Sequence, residues 1–161
     1  MRASFRERFL TQDGREIVGD EKSITLPFGR VSARAIVVRR RDGALLATLH
    51  RKNGRYALPG GGVDDGENPA DALIRELDEE NIELVNSDDG WRERISVNYF
   101  AGYKELTLWY LFIVDDANIA PCDENIETKW VGQDEDIWYP LMREKILLAI
   151  CTYEPKLAKK M

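Results

Sequence analysis

The segment Gly61–Glu80 reads GGVDDGENPADALIRELDEE, a glycine-rich lead-in followed by a helix-forming run with clustered glutamates. Asn68 is a suitable N-cap, and Pro69 suits the first helical position, where its missing N–H leaves no hydrogen bond unmade. We therefore predict a helix from Pro69 to about Glu80. Asn81 should end it, because asparagine tolerates the left-handed conformation found after many helices.

The predicted helix has two different faces. Its side chains turn by about 100° per residue, so Glu76, Glu79 and Glu80 project from one side. An apolar stripe projects from another side and should be buried. The members of this stripe are Ala70, Leu73, Ile74 and Leu77.

Three carboxylates on one helix face repel each other unless a cation lies between them. Oxygen ligands of this kind suit a hard divalent cation, Mg²⁺ or Mn²⁺. The glycines just before the helix offer backbone groups to the same place, so the segment favours metal-assisted phosphoryl chemistry. Taken alone, the three glutamates are also compatible with an ordinary solvated helix face.

The wider spacing favours the metal site. Gly61 is followed after five residues by Glu67, then after seven by Arg75-Glu76-Leu77, and after one more by Glu79-Glu80. This register resembles the Nudix box of the Nudix hydrolase (MutT-like) family. The lead-in Tyr56–Gly61 resembles the family as well, although tryptophan often stands where this chain has Tyr56.

The resemblance implies a role for each matching residue. Glu79 and Glu80 match the family's principal metal ligands, and Glu76 matches a further ligand that sometimes acts as the general base. Arg75 matches a residue that orients the glutamates. Glu67 matches one that braces the loop and can join the metal site.

Two further metal ligands are implied. The residue at the Gly61 position often offers its backbone carbonyl to a metal. Many members add a downstream glutamate six residues before a tryptophan, which points to Glu124 before Trp130. Glu127 is an equal alternative at this stage.

The exit of the helix departs from the family pattern. The family usually continues Glu-Glu-x-Gly-aliphatic, whereas this chain continues Glu79-Glu80-Asn81-Ile82. A shortening by one residue would put Asn81 in the place of the glycine. The departure concerns the geometry of the exit and leaves the implied metal ligands unchanged.

Substrate-binding residues are harder to identify. Arg39 and Arg51 belong to the strongest local excess of positive charge and could reach substrate phosphates, although such a cluster also serves solubility. Tyr99 could stack on a nucleobase, since an aromatic about that far past the box occurs in dinucleoside polyphosphate hydrolases of the family. We expect His50, the only histidine, to be a surface or hydrogen-bonded structural residue.

Apolar and β-branched runs separated by turn residues predict the rest of the fold. The predicted strands are Arg15–Val18, Ser32–Arg40, Ala44–His50, Ile95–Tyr103, Glu105–Val114 and Ile126–Val131. A second helix is predicted over Tyr139–Thr152. The elements predict an α/β (α+β) fold, and the resemblance implies a Nudix-type α/β/α sandwich with a mixed sheet.

We divide the chain into three parts. Residues 1–30 form an N-terminal extension whose strand would join the domain, residues 31–153 form the Nudix hydrolase domain, and residues 154–161 form a charged, frayed tail. The formal net charge of −6 argues against nucleic acid as a partner. No apolar run approaches the roughly 20 residues needed to span a membrane, and no secretory signal is apparent, so we expect a cytoplasmic protein that does not enter a membrane, with both cysteines reduced. A homodimer is a family-level expectation.

The sequence therefore predicts a Mg²⁺- or Mn²⁺-dependent hydrolase that cleaves a nucleoside diphosphate linked to another moiety by water attack on phosphorus. A nucleoside triphosphate or related nucleotide is the expected substrate. A dinucleoside polyphosphate or nucleotide-sugar pyrophosphatase is the alternative within this chemistry. A Nudix-like nucleotide-binding module without hydrolysis is the alternative outside it.

Overall fold

The computed structural model describes residues 2–10, 13–25 and 29–159. Its elements in chain order are β1 (Arg2–Leu10), β2 (Glu16–Thr25), β3 (Arg30–Arg39), β4 (Leu45–His50), β5 (Tyr56–Ala57), β6 (Gly60–Gly62), α1 (Pro69–Glu79), β7 (Ile82–Val85), β8 (Ile95–Phe100), β9 (Glu105–Val114), β10 (Asp116–Ile119), β11 (Asn125–Val131) and α2 (Pro140–Tyr153). Short 3-10 helices occur at Asp89–Glu93, Ala101–Tyr103 and Pro155–Leu157.

A mixed sheet of seven strands forms the centre of the described structure. Its main path runs β11-β4-β3-β9-β8, and β3 lies parallel to β9 along its whole length. Strands β3 and β4 pair antiparallel at Val38 and Leu45. Beyond that pair the two strands diverge. The gap is filled by β5, which pairs with β4, and by β6, which pairs with β3.

Helices cover both faces of this sheet, which confirms the predicted α/β/α sandwich. Alternate residues of β3 point to opposite sides, as the period of a strand requires. Ala33, Ala35 and Val37 pack with the apolar face of α1. Ile36 and Val38 pack on the other side with α2, including its fully buried Ile150.

Helix α1 begins and ends as predicted. The Asn68 side chain accepts a hydrogen bond from the Ala70 N–H at 2.9 Å, and Pro69 follows at the first helical position. Asn81 has the left-handed φ of 55°, and its side-chain Nδ2 donates to the Pro121 carbonyl at 2.7 Å. The asparagine therefore supplies the turn for which the family uses glycine.

One expectation for α1 is wrong. Ile74 is 45% exposed, whereas the apolar stripe was predicted to bury it. The helix is rotated so that Glu76 and Glu80 face the sheet, and both are buried beside Leu73 and Leu77. This rotation turns Ile74 outward. The buried face is therefore partly acidic.

The ends of the chain also differ from expectation. Strand β2 is longer than the predicted Arg15–Val18, and it pairs with β1 in a separate two-stranded sheet. Residues 155–157 of the tail, which we expected to be frayed, form a 3-10 turn, and the buried Gln133 side chain bonds to residues 157 and 159. Gln133 donates to the Leu157 carbonyl at 2.7 Å and accepts from the Lys159 N–H at 2.9 Å.

Other differences are local. Strand β8 ends at Phe100, and the predicted extension to Tyr103 is a 3-10 turn that leads into the left-handed Lys104. Strands β7 and β10, which the sequence did not reveal, pair with each other beside α1. In the described residues, no helix is both long and apolar enough to cross a membrane.

The left-handed exit of α1 yields a test. Asn81→Ala and Asn81→Gly both remove the bond to the Pro121 carbonyl, but only glycine adopts a positive φ without strain. We expect Asn81→Ala to be about 1 kcal/mol less stable than Asn81→Gly. Urea unfolding of the two variants measures this difference. Equal stabilities would contradict the role given to the backbone.

Candidate functional site

A cleft of about 570 Å³ opens beside the glycine strand β6. Its walls are the start of β3, the segment 50–53 that follows β4, and residues 123–124 just before β11. Glu76 of α1 lies at its floor. The divergence of β3 from β4 thus creates the space in which the segment Gly61–Glu80 meets the upstream residues 50–53 and the downstream residues 123–124.

Glu80 lies behind this floor and is the most buried carboxylate of the site, with 1% of its surface exposed. The Gly60 N–H donates to its Oε2 at 3.2 Å, while its Oε1 has no hydrogen-bond partner among the described residues. Burial raises the pKa of Glu80 to about 7, although the Gly60 N–H and the Arg34 charge act in the opposite direction. Nearby Glu76 raises it further.

Glu76 lies directly against the backbone of Gly61. A Cβ added at Gly61 would lie 2.5 Å from the Glu76 carboxylate, so only glycine permits this approach. Burial raises the pKa of Glu76, and the charges of Glu79 and Glu124 raise it further, whereas Arg75 lowers it. These carboxylates are therefore close enough to repel one another.

Arg75 is the cation that holds the cluster together. Its Nε and Nη2 each donate to the Glu67 carboxylate at 2.9 Å, and Nη2 also donates to the Gly62 carbonyl at 3.0 Å. Its Nη1 reaches Glu76 at 3.0 Å and Glu79 at 3.3 Å. This paired geometry holds the pKa of Glu67 down at about 2.

Within the described part of the chain, no three Asp, Glu, His or Cys side chains stand close enough together to hold a metal ion as they are placed. Arg75 draws Glu67, Glu76 and Glu79 towards itself, while Glu80 turns to the Gly60 N–H. The chemistry of the donors nevertheless fits a divalent cation. Glu80 Oε1 is buried and unpaired, and the bare backbone of Gly61 lies beside Glu76.

The two downstream glutamates, Glu124 and Glu127, lie in different surroundings. Glu124 lines the cleft and interacts electrostatically with Glu76. Glu127 instead accepts a short hydrogen bond from the Tyr56 hydroxyl and pairs with Lys129 at 3.3 Å. Glu124 is thus the one of the two that the fold brings to the carboxylate cluster.

The expected substrate-binding residues lie in three different places. Arg51 is at the cleft, but its guanidinium donates to the backbone carbonyls of Asp123 and Asn125. Arg39 lies at the β3–β4 turn, outside the residues that line the cleft, where it pairs with Asp42. Tyr99 is in β8 and is also outside the cleft lining.

Sequence reasoning missed other residues of the site. Arg34 of β3 donates to the Leu58 and Gly60 carbonyls, both at 3.1 Å, and so fastens the glycine segment to the sheet. The sequence feature that could have indicated this role is the presence of an arginine within the apolar strand β3. Buried Asn125 lies between Glu80 and His50, and burial lowers the pKa of His50. The pairing of β11 with β4 creates this contact.

Comparison with known families gives a consistent result. A family model described as the NUDIX domain matches residues 29–145, which is most of the chain. An RNA pyrophosphohydrolase from Psychrobacter sp. (strain PRwf-1) is 29% identical over 125 residues, covering 66% of this chain and 70% of that protein. The nucleoside triphosphatase NudI of Salmonella arizonae is 35% identical over 97 residues, covering 55% of this chain and 69% of that protein.

A solved structure shares the fold. It is the bifunctional NMN adenylyltransferase/ADP ribose pyrophosphatase from Francisella tularensis, complexed with AMP and Mn ion. The TM-score is 0.58 at 22% identity, and the match covers 78% of this chain. The chain spans only 42% of the length of that bifunctional protein.

The raised pKa of Glu80 predicts a pH dependence of stability in the metal-free protein. A carboxyl whose pKa is near 7 when folded and near 4.5 when unfolded destabilises the fold as pH rises through that interval. The penalty is absent below the unfolded pKa and complete above the folded pKa. Relative to Glu80→Gln, the wild type should lose up to about 3 kcal/mol between pH 4 and pH 8.

Urea unfolding in EDTA across this pH range tests the prediction. The lowered pKa of His50 affects the pH dependence of stability in the opposite direction. Because His50 is present in both proteins, the comparison with Glu80→Gln isolates the contribution of Glu80. Parallel pH profiles for the two proteins would contradict the buried, destabilising charge of Glu80.

Proposed function

The chain belongs to the Nudix family of hydrolases that act on phosphoric anhydrides, and on this premise we propose that it hydrolyses nucleoside diphosphate derivatives with the help of Mg²⁺ or Mn²⁺. The reaction would be attack of water on phosphorus. The observation that carries the proposal is that Glu76 lines the cleft together with Glu124 and is repelled by the charges of Glu79 and Glu124, while the buried Glu80 is repelled by Glu76.

A divalent cation would be held by the carboxylates of Glu76, Glu79 and Glu80. The Gly61 carbonyl, Glu67 and Glu124 are further candidate ligands around the same cleft. When bound, the cation would offset the negative charge of both the cluster and the diphosphate and lower the pKa of a ligated water. The Mn ion in the related Francisella structure supports a divalent cation without specifying Mg²⁺.

Arg75 would act as the positioning residue of this site. It holds Glu67, Glu76 and Glu79 within hydrogen-bonding distance of one guanidinium. The Gly60 N–H holds Glu80 in the same way. Because no three carboxylates among the described residues converge as they are placed, binding of a cation would require some of these contacts to be exchanged for contacts to the cation.

Glu76 is the best candidate for the group that accepts the proton of the attacking water. It lines the cleft, whereas Glu80 lies behind it against Gly60. Its raised pKa brings the carboxylate closer to neutral pH, which favours proton transfer from water. The alternative acceptor is Glu124 on the opposite wall.

The proposed substrate is a nucleoside triphosphate or a related nucleotide. The cleft volume of about 570 Å³ falls in the usual range for sites of small organic ligands. Basic residues at the cleft, Arg30, Arg51 and Lys52, suit an anionic substrate. The nucleoside triphosphatase NudI is 35% identical over 97 residues, 55% of the chain, which supports this substrate class over a nucleotide sugar. A cytoplasmic location and a homodimer stay predictions from the sequence.

Hydrolysis assays on a nucleotide panel test the proposal. With Mg²⁺ or Mn²⁺, the wild type should cleave a phosphoric anhydride bond in at least one nucleoside triphosphate, dinucleoside polyphosphate, nucleotide sugar or RNA carrying a 5′ diphosphate. The products would be pyrophosphate or phosphate from a triphosphate or an RNA 5′ end, two nucleotides from a dinucleoside polyphosphate, and a nucleoside monophosphate with a sugar phosphate from a nucleotide sugar. Glu79→Gln should lower kcat by more than about 100-fold, because it removes a ligand charge from the cluster. EDTA should abolish the activity.

Asp78→Asn is the matched control for this experiment. Asp78 is the exposed neighbour of Glu79 on the same helix but projects from another face. Its variant should retain activity within about twofold of the wild type, as expected for a surface change. Turnover by Glu79→Gln at the wild-type rate would refute the mechanism. Tight nucleotide binding without turnover by the wild type would favour a binding module.

The two downstream glutamates give a second test. Glu124→Gln should lower kcat by about tenfold or more and weaken Mn²⁺ binding, because its carboxylate lies in the cleft with Glu76. Glu127→Gln should leave both quantities nearly unchanged, since Glu127 is engaged with Tyr56 and Lys129. Titration calorimetry with Mn²⁺ and initial rates measure the effects. The reverse ranking would assign the role to Glu127.

A further inference from the structure

Four cationic side chains line the cleft, and they differ in what they already contact. The guanidinium of Arg34 donates to the Leu58 and Gly60 carbonyls. That of Arg51 donates to the Asp123 and Asn125 carbonyls, and the Arg51 N–H donates to the Glu124 carbonyl at 2.9 Å. Both arginines therefore hold backbone segments in place. Arg30 and Lys52 are the other two cations.

Arg30 lies at the beginning of β3 with its side chain 58% exposed. Its ion-pair partner, Glu105, is 3.9 Å away, at the outer limit of such contacts. A Cβ placed on Gly62 would be 3.7 Å from Arg30 Nη2 and 3.9 Å from Nε, so the guanidinium extends over the bare backbone of Gly62. It thus borders the cleft one residue from Gly61, which lies against Glu76.

A second guanidinium, that of Arg34, lies near Arg30. Burial is the main cause that lowers the pKa of Arg34; the charges of Glu105 and Glu80 raise it, and the charge of Arg30 lowers it, so the two guanidinium groups are near enough to repel each other. An anion between them would remove this repulsion. The five N–H donors of a guanidinium are arranged to bind two phosphate oxygens at once. Glycine at position 62 leaves room for a phosphate to approach.

We propose that Arg30 binds the diphosphate group of the substrate, while Arg34 and Arg51 position the glycine segment and the Glu124 loop. This inference rests on the proposed function for the identity of the ligand. It replaces Arg51 with Arg30 as the main phosphate contact. Arg51 becomes a positioning residue, because three of its N–H groups are engaged with residues 123–125.

Binding of methylenediphosphonate, a diphosphate that is not hydrolysed, tests this assignment without requiring turnover. Calorimetric titrations in saturating Mn²⁺ would compare the wild type with Arg30→Gln and Arg30→Lys. We expect Arg30→Gln to weaken binding by about tenfold or more, since a hydrogen bond to a charged group is lost. Arg30→Lys should recover only part of the affinity, because lysine lacks the two-pronged geometry.

Arg41→Gln is the matched control. Arg41 has a side chain 61% exposed and pairs with Asp116 at 3.7 Å, so its exposure and ion-pair distance resemble those of Arg30, but it does not line the cleft. Equal weakening by the Arg30 and Arg41 substitutions would indicate only general electrostatics and overturn the proposal. A larger loss in Lys52→Gln than in Arg30→Gln would also overturn it, by giving the contact to Lys52.

A second measurement distinguishes the role of Arg51 from that of Arg30. Arg51→Gln should weaken Mn²⁺ binding in the absence of any phosphate, because Glu124 would be less well placed, whereas Arg30→Gln should leave Mn²⁺ binding unchanged. If Arg30→Gln loses Mn²⁺ and Arg51→Gln does not, the division of roles is wrong. If methylenediphosphonate binds as expected but no nucleotide is hydrolysed, the proposed function fails and the assignment of Arg30 stands.

Discussion

The site depends on how closely the backbone of β6 approaches its neighbours. Gly60 adopts a φ of 126°, and a Cβ there would lie 2.3 Å from the Ala33 carbonyl oxygen. At Gly61 a Cβ would lie 2.5 Å from the Glu76 carboxylate on the other side. A side chain at Gly60 would collide with the backbone of β3, and one at Gly61 would displace the Glu76 carboxylate. This contact allows the helix to bring two carboxylates into the interior of the sandwich.

Neighbouring protein groups, rather than solvent, partly balance the negative charges of the site. Burying Glu76 and Glu80 is unfavourable, and their raised pKa values express that cost. Arg75 offsets part of it through contacts to three glutamates, and the Gly60 N–H offsets another part. The remaining repulsion is what a divalent cation would relieve. The metal-free fold is thus expected to be less stable than the loaded one.

Local features of this protein could be read from the sequence, whereas contacts between distant segments could not. The cap at Asn68 and the left-handed turn at Asn81 depend on neighbouring residues, so their chemistry is visible in the chain. The choice between Glu124 and Glu127 required the pairing of β11 with β4, which has a register shift between Asn125 and Glu127. No spacing rule shows that irregularity.

The difference between local features and distant contacts also explains why Ile74, Arg30 and Arg34 were not predicted correctly. Ile74 was expected inside because it shares a helix face with Ala70, Leu73 and Leu77, but α1 is rotated so that Glu76 and Glu80 are buried against the glycine strand β6 instead. Arg30 was passed over because it lies before the predicted strand Ser32–Arg40, and Arg34 because it was counted only as part of that strand. They become part of the site only when Gly60 and Gly62 are placed beside that strand.

The buried side chain of Gln133 has a consequence for how the molecule unfolds. It donates to the Gly43 carbonyl in the β3–β4 turn and to Leu157 near the end of the chain, both at 2.7 Å. The side-chain amide of Gln133 thereby joins one residue 90 positions earlier in the sequence to another 24 positions later. The C-terminal turn should consequently belong to the same cooperative unit as the central hairpin, with amide hydrogens that exchange when the sheet opens.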